Sequence, residues 1–148
     1  SKCVPHPYYL RLCEQYGLLV FIELPINGVP SGITRDQSFQ NRCKEFLTHY
    51  INFYGQYSSL AAIGMGSSFL PGIDSHTSLI SSLAKTVKDR TDLVTYASFC
   101  NLDLEKIENL DVYGVEFLNE NISDYEEKIM TKNMNISIVE KNLERRIH

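Results

Sequence analysis

Three glutamates in this chain stand in or directly after short apolar runs. Glu23 follows Leu18-Leu19-Val20-Phe21-Ile22, Glu116 lies inside Val112–Leu118, and Glu140 follows Ile136-Ser137-Ile138-Val139. A fourth run, Leu60-Ala61-Ala62-Ile63-Gly64-Met65, ends in Gly66-Ser67-Ser68. Carboxyl groups at such positions can move protons, attack an electrophilic carbon or hold a polar ligand. A serine hydroxyl donates and accepts hydrogen bonds but is not a proton donor tuned near neutral pH. Each glutamate also has a plain structural reading. Glu140 would sit in the first turn of the next helix, where the dipole favours an anion. Glu116 would pair with a nearby Lys or Arg, and Glu23 would bond to a neighbouring loop.

Several chemistries find no support. None of the His residues (His6, His49, His76, His148) pairs with another at metal-ligand spacing, and Cys3, Cys13, Cys43 and Cys100 contain no CxxC unit. Neither a metal centre nor a redox pair is expected. No Gly-rich phosphate loop follows any apolar run, which disfavours a nucleotide, and no cofactor is expected. Lys plus Arg number 14 against 18 Asp plus Glu, a formal net charge of −4 without a basic run, so nucleic acid is not an expected partner. No stretch reaches the roughly 20 apolar residues of a membrane-spanning helix. With 148 residues, 43% apolar and 22% charged, the chain has the size and composition of one folded domain rather than a disordered segment. Ser1 enters directly into an extended Lys2–Pro7 run, and His148 falls within a helical pattern, so a segment of a longer chain is expected.

The elements that would position these residues alternate. Pro7 can open a helix with Leu10, Cys13 and Tyr16 on one face, ended by Gly17. The strand 18–22 follows, then a Pro- and Gly-rich loop over 24–34. A helix is expected from Arg35 to Tyr54, with Phe39, Cys43, Phe46, Leu47, Tyr50 and Ile51 repeating at helical spacing. The strand 60–65 leads through a loop to a helix from Ser75 to Arg90. Leu93–Ala97 is a third strand, a helical turn is expected near Leu104–Asn109, and Val112–Leu118 is a fourth strand. Ser123 is a candidate N-cap for a further helix, Ile136–Val139 a fifth strand, and Lys141–Ile147 the start of another helix.

Continuous rather than alternating apolarity marks strands covered on both faces. Strand and helix in alternation predict an α/β fold with a parallel sheet. A doubly wound sheet binding a small ligand and part of a (β/α)₈ barrel both fit. In each, functional loops follow the carboxyl ends of the strands, which here are Glu23, Gly66–Ser68, Ser98–Cys100, Glu116–Asn119 and Glu140.

The run His6-Pro7-Tyr8-Tyr9-Leu10-Arg11-Leu12-Cys13-Glu14-Gln15-Tyr16-Gly17-Leu18-Leu19-Val20-Phe21-Ile22-Glu23 resembles the barrel domain of glycoside hydrolase family 2, which includes β-galactosidases and β-glucuronidases. Ile63-Gly64-Met65-Gly66-Ser67-Ser68 is similar to that family's strand ending in Gly-Asn-Glu. Leu93-Val94-Thr95-Tyr96-Ala97-Ser98 and Asp111-Val112-Tyr113-Gly114-Val115 resemble its next two strands. The order and spacing of the four segments agree. The resemblance implies one partial barrel domain, spanning roughly the third to seventh strands of a (β/α)₈ barrel.

By that resemblance the last residue of Gly-Asn-Glu is the general acid/base, and Ser68 stands in its place. Ser67 replaces the Asn that contacts the sugar. Phe53–Ser59 replaces a charged run with a His-Pro, Lys2 stands where the family has a substrate-side His, and Glu116 where it has an Asn. Asn135–Asn142 loosely matches the strand carrying the nucleophile, which makes Glu140 the candidate nucleophile. Retaining glycosidases need two carboxyl groups about 5–5.5 Å apart.

The expectation is therefore a barrel that has lost hydrolysis and serves in carbohydrate binding or scaffolding. An active glycosidase would need its acid from Glu116, Glu23 or residues outside this segment. Glu23, Ser67 and Glu116 are the candidate sugar contacts. Tyr8, Tyr9, Tyr54 and Tyr57 could stack on sugars or simply pack. His6 is expected to serve the start of its helix, His49 and His76 to face solvent, and Cys13 and Cys43 to be buried. The expected partners are a carbohydrate and either other domains or a second copy. The resemblance favours the cell envelope or exterior, where the sequons at Asn121 and Asn135 would matter in a eukaryote.

Overall fold

The computed structural model describes residues 5–117 and 136–140. Helix α1 spans Pro7–Gln15, strand β1 Val20–Glu23, helix α2 Ser31–Thr34 and helix α3 Gln37–Tyr54. Strand β2 (Leu60–Gly64), helix α4 (Asp74–Lys88), and strands β3 (Val94–Phe99), β4 (Val112–Phe117) and β5 (Ile136–Glu140) follow. The helix expected after Ser123 and the one starting at Lys141 lie outside the described residues.

The helix boundaries have local causes. The His6 ring accepts from the Tyr8 amide at 3.2 Å, and Pro7 supplies the fixed φ of a first helical residue. Helix α3 begins after Asp36, whose carboxylate accepts from the Phe39 amide at 2.7 Å, two residues later than the sequence suggests. Helix α4 has Asp74 in its first turn and Lys85 and Lys88 in its last, a distribution that suits the helix dipole.

All neighbouring strands are parallel, in the order β1-β2-β3-β4-β5, with no reversal of the kind that marks a doubly wound sheet. One face carries the buried set Val20, Ile22, Ile63, Thr95, Ala97, Tyr113 and Val115. Against these residues pack Leu10 and Cys13 of α1, Cys43, Leu47 and Ile51 of α3, and Leu79, Ile80 and Leu83 of α4. The alternate residues point to the other face, where Phe21 is 52% exposed and Val94 39%. Among the described residues β1 and β5 each pair on one side alone.

Three expectations are corrected. The loop over 24–34 contains the short helix α2, whose Thr34 hydroxyl donates to Ser75 Oγ at 2.9 Å, tying it to α4. Residues 104–109 form no helical turn. Leu104 and Ile107 are buried as loop residues, held by the Ile107 amide donating to the Tyr113 hydroxyl at 2.6 Å. His76 does not face solvent; it is 4% exposed. His49 is exposed and Cys13 and Cys43 are buried, as expected. Tyr54 and Tyr57 are core residues, whereas Tyr8 and Tyr9 lie on the outer surface.

Candidate functional site

The strand ends are knitted together beyond the strands proper. Leu24 donates to Gly64 O at 2.9 Å and Met65 to Tyr96 O at 2.7 Å. The chain after β1 then crosses to the chain after β2. Ser67 N donates to Ile26 O at 2.8 Å, Gly28 N to Ser67 O at 3.0 Å, and Ser67 Oγ to Asn27 Oδ1 at 3.2 Å. Ser98 N donates to Gly66 O at 3.1 Å and Phe69 N to Ser98 O at 3.1 Å, which binds the same loop to β3. Gly66 permits this approach. Its φ is +127°, and a Cβ there would lie 2.6 Å from Ile26 O.

Ser68 follows with φ +57°, in the left-handed region that a non-glycine residue rarely adopts. Glu116 holds it there. The Ser68 amide donates to Glu116 Oε1 at 3.2 Å and its hydroxyl to Oε2 at 2.8 Å. Glu116 is 5% exposed, and both of its oxygens act as acceptors in this arrangement. A backbone conformation of this kind costs of order 1–3 kcal/mol and persists where surrounding bonds over-determine it.

Glu23 is 6% exposed at the end of β1, and its neighbour on the open face is Tyr96 of β3. The Tyr96 ring lies against Gly64, where a Cβ would stand 2.5 Å from the ring, so a larger residue there would have to displace the phenol. The phenol donates to Ile22 O at 3.2 Å and adjoins the Glu23 carboxylate. Burial raises the Tyr96 pKa well above the usual phenol value, and the charge of Glu23 and its hydrogen bond raise it further.

The structure thus brings together Glu23, Ser67, Ser68 and Glu116 at adjacent strand ends. Glu140 closes β5 in register with Phe117, one step beyond the Glu116–Val139 pair, and is described by its backbone alone. Asn27 and Tyr96 adjoin the site without being singled out by sequence. Asn27 sits in a Pro/Gly loop like many turn asparagines, and Tyr96 reads as an ordinary strand aromatic. Their roles depend on neighbours 40 and 74 residues away in sequence, with Ser67 and Ile22 as the respective partners. A separate cavity of about 260 Å³ lies between α3 and the chain after β1, lined by Leu24, Ile26, Phe39, Arg42, Cys43 and Phe46. None of the candidate site residues lines it. Among the described residues, no three His, Cys, Asp or Glu side chains gather into a metal-binding group.

No family model matches the sequence, and no curated protein matches it. Solved structures do match the fold. A glycoside hydrolase family 2 β-galacturonidase from Eisenbergiella tayi, bound to galacturonate, superposes with a TM-score of 0.72 at 16% identity, covering 86% of this chain and 24% of that one. A putative β-galactosidase from Bacteroides fragilis gives 0.71 at 17% identity, over 88% of this chain and 20% of its own. β-Glucuronidase 3 from Bacteroides uniformis gives 0.70 at 21% identity, over 92% and 19%. The chain spans about a quarter or less of the length of these proteins, and over that span its fold resembles glycoside hydrolase family 2.

Proposed function

We propose that this chain is a segment of a (β/α)₈ barrel of the glycoside hydrolase family 2 type that has lost hydrolysis. Its role is carbohydrate binding or scaffolding within a longer, exported protein. The observation that carries this reading is the Ser68–Glu116 pair. The position that would hold the proton donor has a hydroxyl, and that hydroxyl is spent on a carboxylate 2.8 Å away. Losing a general acid typically costs about 10²–10⁴-fold in rate. Glu23 and Glu116 would then hold sugar hydroxyls, with Ser67 and Asn27 shaping the rim.

The test uses the full-length protein. Calorimetric titration with neutral and uronic monosaccharides and disaccharides should give binding without turnover. A nitrophenyl glycoside, whose leaving group needs little protonation, is the most permissive substrate. Absence of both binding and turnover across these sugars would leave scaffolding as the surviving role.

A second reading has one observation in its favour. The Glu116 carboxylate reaches position 68, where the family's acid stands by resemblance. In that reading Glu116 is a relocated acid and Glu140 the nucleophile. Wild-type turnover of an unactivated disaccharide, abolished by Glu116→Gln or Glu23→Gln, would establish it and overturn the first.

A further inference from the structure

The cavity beside α3 lies apart from the strand-end site, and two periodicities build its walls. Phe39, Arg42, Cys43 and Phe46 follow one another at spacings of three, one and three residues and so share one stripe of the helix. Leu24 and Ile26, alternate residues of the chain after β1, close the other side. That chain is fixed in place. The Leu24 amide donates to Gly64 O at 2.9 Å, and Ile26 O accepts from the Ser67 amide at 2.8 Å. Leu24, Ile26 and Cys43 are all buried. A wall held in this way needs little ordering when a ligand arrives.

One side chain of this lining carries charge. Burial pushes the Cys43 thiol up, against the opposing influence of Arg42, so the thiol stays protonated at physiological pH and the lining offers no anion. Arg42 is exposed at the rim, where Nη1 donates to Ser38 Oγ at 2.6 Å. A hydroxyl accepts one of its N–H groups and leaves the positive charge uncompensated. Among the described residues no carboxylate forms an ion pair with it. Asp36, on the preceding turn, instead accepts from the Phe39 amide. The volume sets the size of a ligand. A cavity of about 150 Å³ lined by Leu, Ile and Phe takes up benzene. The 260 Å³ found here has room for a ring with a short alkyl tail. An apolar body with an anionic end matches this lining. A neutral hydrocarbon would leave the guanidinium unused, and a sugar would set its hydroxyls against apolar walls.

We infer that this cavity is a binding site for a small arylalkyl carboxylate, whose ring lies among Leu24, Ile26, Phe39 and Phe46 and whose carboxylate pairs with Arg42. The inference does not depend on what the strand-end site does. The probe is phenylpropionate, titrated calorimetrically into the full-length protein, with phenylpropanol as its uncharged counterpart. Phenylpropionate should bind several-fold more tightly than phenylpropanol. Arg42→Gln changes an exposed helical position and should leave the fold intact. It should weaken phenylpropionate by about threefold to fivefold, the worth of an exposed ion pair, and leave phenylpropanol unchanged. Bound phenylpropionate should also slow alkylation of Cys43 by iodoacetamide, read by peptide mass mapping, without slowing that of Cys100, which lies outside the cavity. Absence of phenylpropionate binding overturns the proposal, as it would if another part of the longer chain already fills the cavity. Equal affinity for the acid and the alcohol overturns it too, and so does an Arg42→Gln variant that binds both as the wild type does. Should Cys43 prove too unreactive to follow, the Arg42→Gln titration decides alone.

Discussion

Ser68 and Glu116, 48 residues apart in sequence, are joined twice: the serine amide donates to one carboxylate oxygen at 3.2 Å and its hydroxyl to the other at 2.8 Å. This pair fastens the end of β4 to the chain after β2, and it keeps Ser68 in a left-handed backbone conformation.

Glu116→Ala should therefore destabilise the fold by about 1–3 kcal/mol, since it leaves a strained amide and a hydroxyl without their acceptor. Ser68→Gly should cost less than Ser68→Ala. Both lose the hydroxyl bond, worth about 1 kcal/mol, but glycine relieves the positive φ. Denaturant unfolding of the three variants gives the order, and Ser68→Ala equal to or more stable than Ser68→Gly would contradict it.

Gly64→Ala tests the packing of Tyr96. The added methyl meets the ring at 2.5 Å, so the phenol must leave Ile22 O and Glu23. A destabilisation of about 1–3 kcal/mol is expected. Spectrophotometric titration should also show the Tyr96 phenol ionising at lower pH than in the wild type. The sign follows from linkage: a phenol raised by burial and by Glu23 adds stability that is complete below the ordinary tyrosine pKa and is lost as pH climbs above it. Gly64→Ala should flatten that alkaline loss.

Asp111 governs the acid side. Burial alone would raise its pKa, but the hydrogen bond from Lys88, those from the Thr95 amide and hydroxyl, and the Lys88 charge together hold it below the usual carboxylate value. A lowered carboxylate contributes stability that is full above its unfolded pKa and vanishes as pH falls through the folded one. Asp111→Asn should cost about 1 kcal/mol at neutral pH, a modest figure because the pair is about one-third exposed, with side-chain exposures of 31% and 37%. The gap between the variant and the wild type should close in thermal melts as pH falls through the lowered range of the folded carboxyl. A gap that persists there would show that Asp111 acts through packing.

A double substitution at the strand end tests the proposed loss of the acid directly. Ser68→Glu with Ser67→Asn in the full-length protein should raise turnover of an aryl glycoside by about 10²-fold if Glu140 is a competent nucleophile. No gain would count against Glu140 as well as against the assigned position of the acid.

Much of the scaffold was legible because it rests on local signals. The apolar runs ending at Glu23, Met65 and Val115 announce strands, and the 3.6-residue repeat from Phe39 to Ile51 announces α3, whatever surrounds them. Cys13 and Cys43 could be placed inside by the same periodicity. His76 could not, because the periodicity of α4 shows only which residues face the sheet. It does not show that loops from β1 and β2 fold over the first turn of the helix. The helical turn expected at residues 104–109 failed for a related reason: Leu104 and Ile107 have helical spacing, but the Tyr113 hydroxyl takes the Ile107 amide and favours an irregular loop. The serines and acids at the strand ends were legible as residues. Their pairing was not, since a bond across 48 positions leaves no local trace.

The open face of the sheet bears on how the material will behave in a tube. Phe21 and Val94 present apolar side chains to water on that face, and Leu19, just before β1, is 71% exposed. Exposed apolar groups clustered on one face favour association with another apolar surface. The protein should self-associate with rising concentration, detectable by light scattering and by dye binding to apolar surface. A charge at the exposed position, Phe21→Lys, should suppress that colloidal instability without touching the helix-covered core. Solubility, rather than any enzymatic property, is then the first trait that this apolar face would govern.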